Sequence, residues 1–239
     1  MQIYKISFNP TNFKVYLHLQ IPYITPHKLP KMEDVIIKYF PSLSEKQLAQ
    51  FQEMAALYKE LNEKVNVVSR KDIENIEINH ILHSLAIAKY INFKPGTTVI
   101  DLGTGGGLPG LPLAVMFPEV HFHLIDRIGK KVKVAEEIAQ KLGLDNVSFQ
   151  HGDMGECKVK ADFVVSRAVT DQPTLIKISR KNISPESKNG LPNGLITLKG
   201  GDVTPELNKF AKISEVTPIS TYFSEPFFET KKIVYTPLL

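Results

Sequence analysis

Thr98-Val99-Ile100-Asp101-Leu102-Gly103-Thr104-Gly105-Gly106-Gly107-Leu108-Pro109-Gly110 is the stretch whose reading decides the fold. An apolar, β-branched run ends in an acid, glycines crowd the next eight residues, and Leu111-Pro112-Leu113-Ala114-Val115-Met116-Phe117 then opens a helical pattern. The pattern predicts a buried strand, a tight loop and a helix N-terminus. Glycine lets such a loop turn sharply and lie close to a ligand, while the amides of the first helical turn have no partners of their own. A ligand-free turn is the bland alternative, but this many clustered glycines are costly in chain entropy.

The next apolar run, Val120-His121-Phe122-His123-Leu124-Ile125, ends in Asp126. A carboxylate about 20 residues after the first glycine is placed to accept the two hydroxyls of an adenosine ribose. From Gly105 the loop satisfies the dinucleotide pattern G-x-G-x-x-G, so the pattern alone does not exclude NAD. From Gly103, the first glycine after the strand, it reads acid-x-G-x-G-x-G. A carboxylate beside the loop suits an ammonium-bearing ligand and repels a pyrophosphate. S-adenosylmethionine carries an ammonium, a sulfonium and no phosphate, which favours a methyltransferase.

The 239 residues are enough for one α/β domain with an appended segment, and 43% hydrophobic and 23% charged residues are ordinary for a globular protein. No stretch reaches the apolar length of a membrane span. Cys157 is the sole cysteine, which rules out an intrachain disulfide and a cysteine-cluster metal site and points to a cytoplasmic location. The net charge of +4 permits an anionic partner without demanding one.

Residues 1–31 differ from the rest. Asn9-Pro10, Ile21-Pro22, Thr25-Pro26 and Leu29-Pro30 interrupt them, and 13–19 alternate enough for one strand. They lack the apolar core and cleavage site of a signal peptide. Because Met32 precedes an acidic helix-starting sequence, we read 1–31 as an extension from an upstream start codon, with a peripheral strand as the alternative. Residues 32–93 read as a small helical cap. Ser44-Glu45-Lys46-Gln47 is a capping box, Leu48, Phe51, Ala55, Tyr58 and Leu61 mark one apolar face, 62–70 read as a loop, and a further helix runs from Asn79 to Tyr90. Residues 94–239 alternate in βα units, with strands expected near 98–102, 120–126, 146–150, 161–166, 194–199, 219–223 and 231–236. The clearest helix is Lys130–Leu142, ended by Gly143. The last two strands have no helix between them and suit an antiparallel hairpin. Ligands of parallel sheets bind at the strands' carboxyl ends, where Asp101 to Gly107, Asp126, His151 to Met154 and Ser166-Arg167 all fall.

The run Asp101 to Ala114, with its Leu108-Pro109-Gly110-Leu111-Pro112 extension, resembles the cofactor loop of the RsmG (GidB) family, bacterial small-subunit ribosomal RNA guanine-N7 methyltransferases. The similarity continues through Asp126 with Gly129-Lys130-Lys131, Ser166-Arg167-Ala168 and Leu198-Lys199-Gly200-Gly201, and upstream through Asn62, Asn66 and His80-Ile81-Leu82; it spans residues 32–236. The chain departs from the family pattern at Leu61, Asn79 and His83, where Trp, Arg and Asp are common; Arg to Asn removes a phosphate contact.

The resemblance implies a Rossmann-like class I S-adenosylmethionine-dependent methyltransferase fold. That is a mainly parallel twisted sheet with an antiparallel C-terminal hairpin and a small N-terminal helical cap. It implies a cytoplasmic monomer, free of membranes, that methylates a guanine N7 of 16S rRNA in free RNA or the small ribosomal subunit. Together with the residue chemistry it implies cofactor contacts at Gly103, Gly105, Gly107, Leu108, Asp126, Asp153 and Met154. Arg167 would couple cofactor to substrate; its bland reading is an ion pair with Asp171 or Asp101. Guanine N7 has an in-plane lone pair and no proton to lose, so alignment matters most and no general base is expected. Arg127, Lys130, Lys131 and Lys199 suit a phosphate-binding rim for RNA, with His80 as a further contact. His80 and His83 lack carboxylate or cysteine partners and read as packed histidines, so no metal is expected. Two other functions fit the residues less well. One is a methyltransferase for a protein or small molecule, and the other is a catalytically silent cofactor- or RNA-binding module.

Overall fold

A computed structural model describes residues 32–238; the strand expected over 13–19 and the origin of the first 31 residues lie outside them. Among the described residues seven strands form one sheet: β1 (Thr98–Leu102), β2 (His121–Asp126), β3 (Val147–His151), β4 (Phe163–Arg167), β5 (Gly194–Gly200), β6 (Glu215–Pro218) and β7 (Lys231–Pro237), in the order β3-β2-β1-β4-β5-β7-β6. Strands β1 to β5 pair in parallel, while β7 is antiparallel to both β5 and β6. The registers Leu102↔Ile125, Asp126↔His151 and Arg167↔Leu198 bring the carboxyl ends of these strands to one edge, beside the β1/β4 reversal.

Alternation of period two divides the interior into two layers. Val99, Phe122, Leu124, Phe163, Val165 and Ile196 face one core, and Ile100, Leu102, Ile125, Val164 and Leu195 face the other. The first core is shared with α1 (Met32–Tyr39), α2 (Glu45–Asn62), α3 (His83–Tyr90), α4 (Gly110–Met116) and α5 (Gly129–Lys141); α6 (Gln172–Ser179) supplies Leu175 and Ile176 to the second. Each fully buried side chain of this size contributes about 1.5–3 kcal/mol.

Helix α2 ties the N-terminal helices to the sheet region through ends that would otherwise lack partners. The Ser44/Gln47 capping box closes its own start, a feature worth about 1 kcal/mol. The Gln47 amide also donates to the Val115 and Met116 carbonyls at the end of α4, and Gln50 donates to the Leu142 carbonyl at the end of α5. Gly143, with φ +63°, terminates α5.

Two expected elements differ. The strand at 219–223 is instead a helical turn (Ile219–Thr221) following β6, with the Phe223 amide bonded to the Ile219 carbonyl. Pro218 carries no amide for a ladder, and Ile219 and Phe223 are core residues at helical rather than alternating spacing. The helix expected from Asn79 starts as a π-helical segment (Glu77–Leu82) that leads into α3.

Candidate functional site

A cavity of about 1050 Å³ opens along the carboxyl ends of the strands. Its wall on the β1–β3 side is the glycine loop. The Gly103 and Thr104 amides bond the Ile125 carbonyl, and the Gly105 amide donates to Asp126 Oδ2 at 2.8 Å. Gly105 has φ +58° with nothing within 4 Å of where a Cβ would stand, so its backbone conformation rather than crowding calls for glycine. Asp126 Oδ1 accepts from the Ile128 amide at 2.8 Å. The carboxylate thus links the loop to the start of α5, and each oxygen keeps a further lone pair.

Beyond β3, Asp153 caps the turn Met154–Glu156 by accepting from the Gly155 amide, the chief cause of its lowered pKa, and it pairs with Arg127. Met154 is buried among Leu102 and Ile125, and all three line the cavity. This is an apolar slot beside an acid.

Asp101 lies elsewhere than its expected role requires. It is fully buried beneath the loop and does not line the cavity; Oδ2 accepts from Thr104 Oγ1 at 2.6 Å and from the Gly110 amide at 2.8 Å, while Oδ1 has no partner. Desolvation pushes its pKa up to about 7 against the pull of those donors and of Arg167. The acid organises the turn, and the first amide of α4 is turned toward it rather than toward the cavity.

Gly103, Gly105, Leu108, Asp126, Asp153, Met154, Arg167, Arg127, Lys131, Lys199 and His80 all line the cavity; Gly107 and Lys130 do not. A side chain at Gly107 would run into Leu111 of α4, so that glycine serves loop-to-helix packing. Lys130 is exposed on α5. Lys199 is held by the Thr170 carbonyl at 2.8 Å and Glu206 at 2.9 Å, which leaves less of its charge for a phosphate.

Arg167 ends β4 without either ion pair of its bland reading, since Asp171 caps α6 and Asp101 bonds the loop. Burial lowers its pKa, opposed by the nearby Tyr58, Asp101 and Asp72.

The cap side of the cavity holds residues that the sequence did not reveal as a group: Val67, Asp72, Asn79, His83, Phe227 and Lys231. Asn79 and His83 are two of the departures from the family pattern. Both ring nitrogens of His80 are buried and unpartnered, as is Nε2 of His83. Burial, reinforced by Arg167, lowers the pKa of His80 to about 4 and that of His83 well below its ordinary value. Lys231 stands over the Phe227 ring at 4.7 Å, and Phe227 meets His83 edge to face at 5.5 Å. No sequence signal joins residues 67–83 to 227–231; only the fold makes them neighbours. Tyr58 of α2 reaches across to donate to the Gly106 carbonyl at 2.8 Å, and Val67 occupies the space that a side chain at Gly106 would need.

The strand order, the glycine loop after β1 and the acid closing β2 define the Rossmann-like class I S-adenosylmethionine-dependent methyltransferase fold. A crystal structure of a mutant of MtNAS in complex with S-adenosylmethionine shares this architecture with a TM-score of 0.51 at 11% identity, over 87% of this chain and 78% of that one. The chain belongs to the GidB family, described as rRNA small subunit methyltransferase G, whose model matches residues 47–230. It is 55% identical over 205 residues to the Ribosomal RNA small subunit methyltransferase G of Bacteroides thetaiotaomicron (86% of this chain, all of that protein). The protein of that name from Porphyromonas gingivalis is 52% identical over 214 residues (89% of this chain, 97% of that protein). Among the described residues no helix is long and apolar enough to cross a membrane.

Proposed function

We propose that this chain methylates N7 of a guanine in small-subunit ribosomal RNA, with S-adenosylmethionine as methyl donor. The observation that carries the reading is one cavity that a glycine loop, pinned by Asp126, shares with a half-buried arginine that makes no ion pair among the described residues. Family membership supports the substrate class.

The residues fit the donor. Asp126 has lone pairs left for two ribose hydroxyls, Gly105 leaves open space above the loop, and Leu102, Ile125 and Met154 offer an apolar slot for adenine beside Asp153. When bound, S-adenosylmethionine supplies a methyl group activated by its sulfonium. Gly103 and Leu108 line the loop side, and Arg167 is the group that aligns the acceptor base. Because N7 has no proton to lose, the work of the protein is orientation and exclusion of water. The Asp72 carboxylate, which lines the cavity, offsets the positive charge that the base acquires. Lys131, which lines the cavity, neutralises an RNA phosphate, and Arg127 does so with a charge already shared with Asp153.

The test is transfer of radiolabelled methyl to small-subunit RNA lacking the modification, with wild type and Arg167→Ala compared. Label that marks a borohydride- and aniline-cleavable guanine, and that is lost in the variant, supports the reading. Label in protein or in no RNA fraction overturns it.

A further inference from the structure

The cavity has two chemically different halves. On the loop side the carboxylates of Asp126 and Asp153 are already tied to backbone amides or to Arg127. On the cap side several polar atoms have no partner among the described residues: both His80 nitrogens and His83 Nε2 are buried without one, and Arg167 makes no ion pair. Unsatisfied buried donors and acceptors are costly, and a ligand with its own donors and acceptors removes that cost. At about 1050 Å³ the cavity slightly exceeds the roughly 300–1,000 Å³ range of small-molecule sites, leaving room for a second planar group beside a cofactor.

Asp72 decides what that group is. Ser69 Oγ donates to its Oδ2 at 2.6 Å and fixes the carboxylate, whereas Oδ1 has only a long contact of 3.5 Å from Asn79. An anion in an RNA-facing cavity repels phosphate, so its partner is a base edge carrying donors. Among the four RNA bases, guanine alone places a ring N–H and an exocyclic amine side by side, matching the two-pronged acceptor of a carboxylate. We propose that the cap side of the cavity is a nucleobase subsite in which Asp72 selects guanine by accepting from N1–H and the N2 amine. His80 and Arg167 donate to O6, and N7 is left unengaged. A flipped base enters between the π-helical segment and Phe227. The proposal rests on the methyltransferase reading above and adds its specificity determinant. The lowered pKa of Asp72, due first to Ser69, keeps the acceptor ionised.

The experiment compares wild type, Asp72→Asn and Asp72→Glu on small-subunit RNA with guanine, or by ligation inosine, at the mapped acceptor position. Binding of S-adenosylhomocysteine is measured for each as a control on the loop side. Asp72→Asn is expected to lower kcat/KM on guanine by about 10- to 100-fold, with unchanged S-adenosylhomocysteine affinity and partial recovery in Asp72→Glu. Inosine, which lacks the N2 amine, is expected to penalise wild type but to add no further loss in Asp72→Asn. Wild-type kcat/KM in Asp72→Asn, or an inosine penalty equal in both proteins, overturns the proposal while the methyltransferase reading stands. No methyl transfer by wild type overturns both.

Discussion

Replacing Asp101 with Asn is expected to stabilise the protein, and more so as pH rises. Asp101 is completely buried, and desolvation lifts its pKa from an ordinary 3.8 to about 7. In the unfolded chain it ionises near 3.8, so the folded state holds an extra proton across the interval. The stability this contributes is complete below 3.8 and is lost as pH rises to about 7. At about 1.4 kcal/mol per pH unit the ionised folded form therefore costs on the order of 4 kcal/mol at pH 8. Asn keeps an oxygen for Thr104 Oγ1 and the Gly110 amide, but its NH₂ replaces the partnerless Oδ1. That unmet donor returns about 1–3 kcal/mol. The net gain at pH 8 is about 1–3 kcal/mol, or roughly 2–12 °C in melting temperature for a chain of this size, shrinking toward zero and then reversing below pH 5. Thermal unfolding at pH 4, 6 and 8 measures it. A difference between variant and wild type that is flat with pH, or that grows toward acid, would refute the argument that burial dominates at Asp101.

Gly105→Ala is expected to destabilise by about 1–2 kcal/mol through its φ of +58° alone and to weaken S-adenosylhomocysteine binding more than tenfold. Calorimetry showing unchanged affinity would contradict a loop-hugging ligand. Tyr58→Phe removes the donor to the buried Gly106 carbonyl and is expected to cost about 1–3 kcal/mol in urea unfolding; no change in midpoint would mean that the cap does not brace the loop. His80, whose folded pKa of about 4 lies below the ordinary 6.5, contributes stability present above pH 6.5 and lost as pH falls toward 4. His80→Phe should therefore flatten the acid limb of the wild-type stability curve, and an unaltered limb would place the sensitivity elsewhere.

The part of the site that one stretch of chain builds was legible, because local rules govern it. Strand, glycine loop and acid read directly from 98–126, and the rule that ligands meet the carboxyl ends of parallel strands brought Arg167 and Met154 to the same place. What escaped needed side-chain direction or long-range packing. Asp101 sits at the right position but faces down, since the strand's alternation and the Gly110 amide take it inward. Gly107 looks like its neighbours in sequence, and only Leu111 shows that its missing side chain makes room for a helix. Ile219 and Phe223 carry strand-like residue types, yet Pro218 had already ended the ladder. Asp72 and Phe227 are far apart in the chain, with no pattern to connect them.

The two halves of the cavity also differ in what binding asks of them. On the loop side, Asp126 and Asp153 are held in place before any ligand arrives, so little side-chain freedom remains to be lost on binding. A cofactor used in every turnover is well served by such a rigid seat. Among the described residues the cap side holds three imidazole nitrogens without partners, both of His80 and Nε2 of His83, beside the half-buried Arg167, an arrangement that is costly in the free protein and relieved by a group with matching donors and acceptors. In the proposed nucleobase subsite such an arrangement would discriminate strongly, because a wrong base leaves those groups unpaired. Tyr58 and Val67 join the halves physically through Gly106. Under the proposed reading, a base that orders the cap residues acts on the same loop that would seat the cofactor, and alignment of the two reactants would follow from a single set of packed contacts.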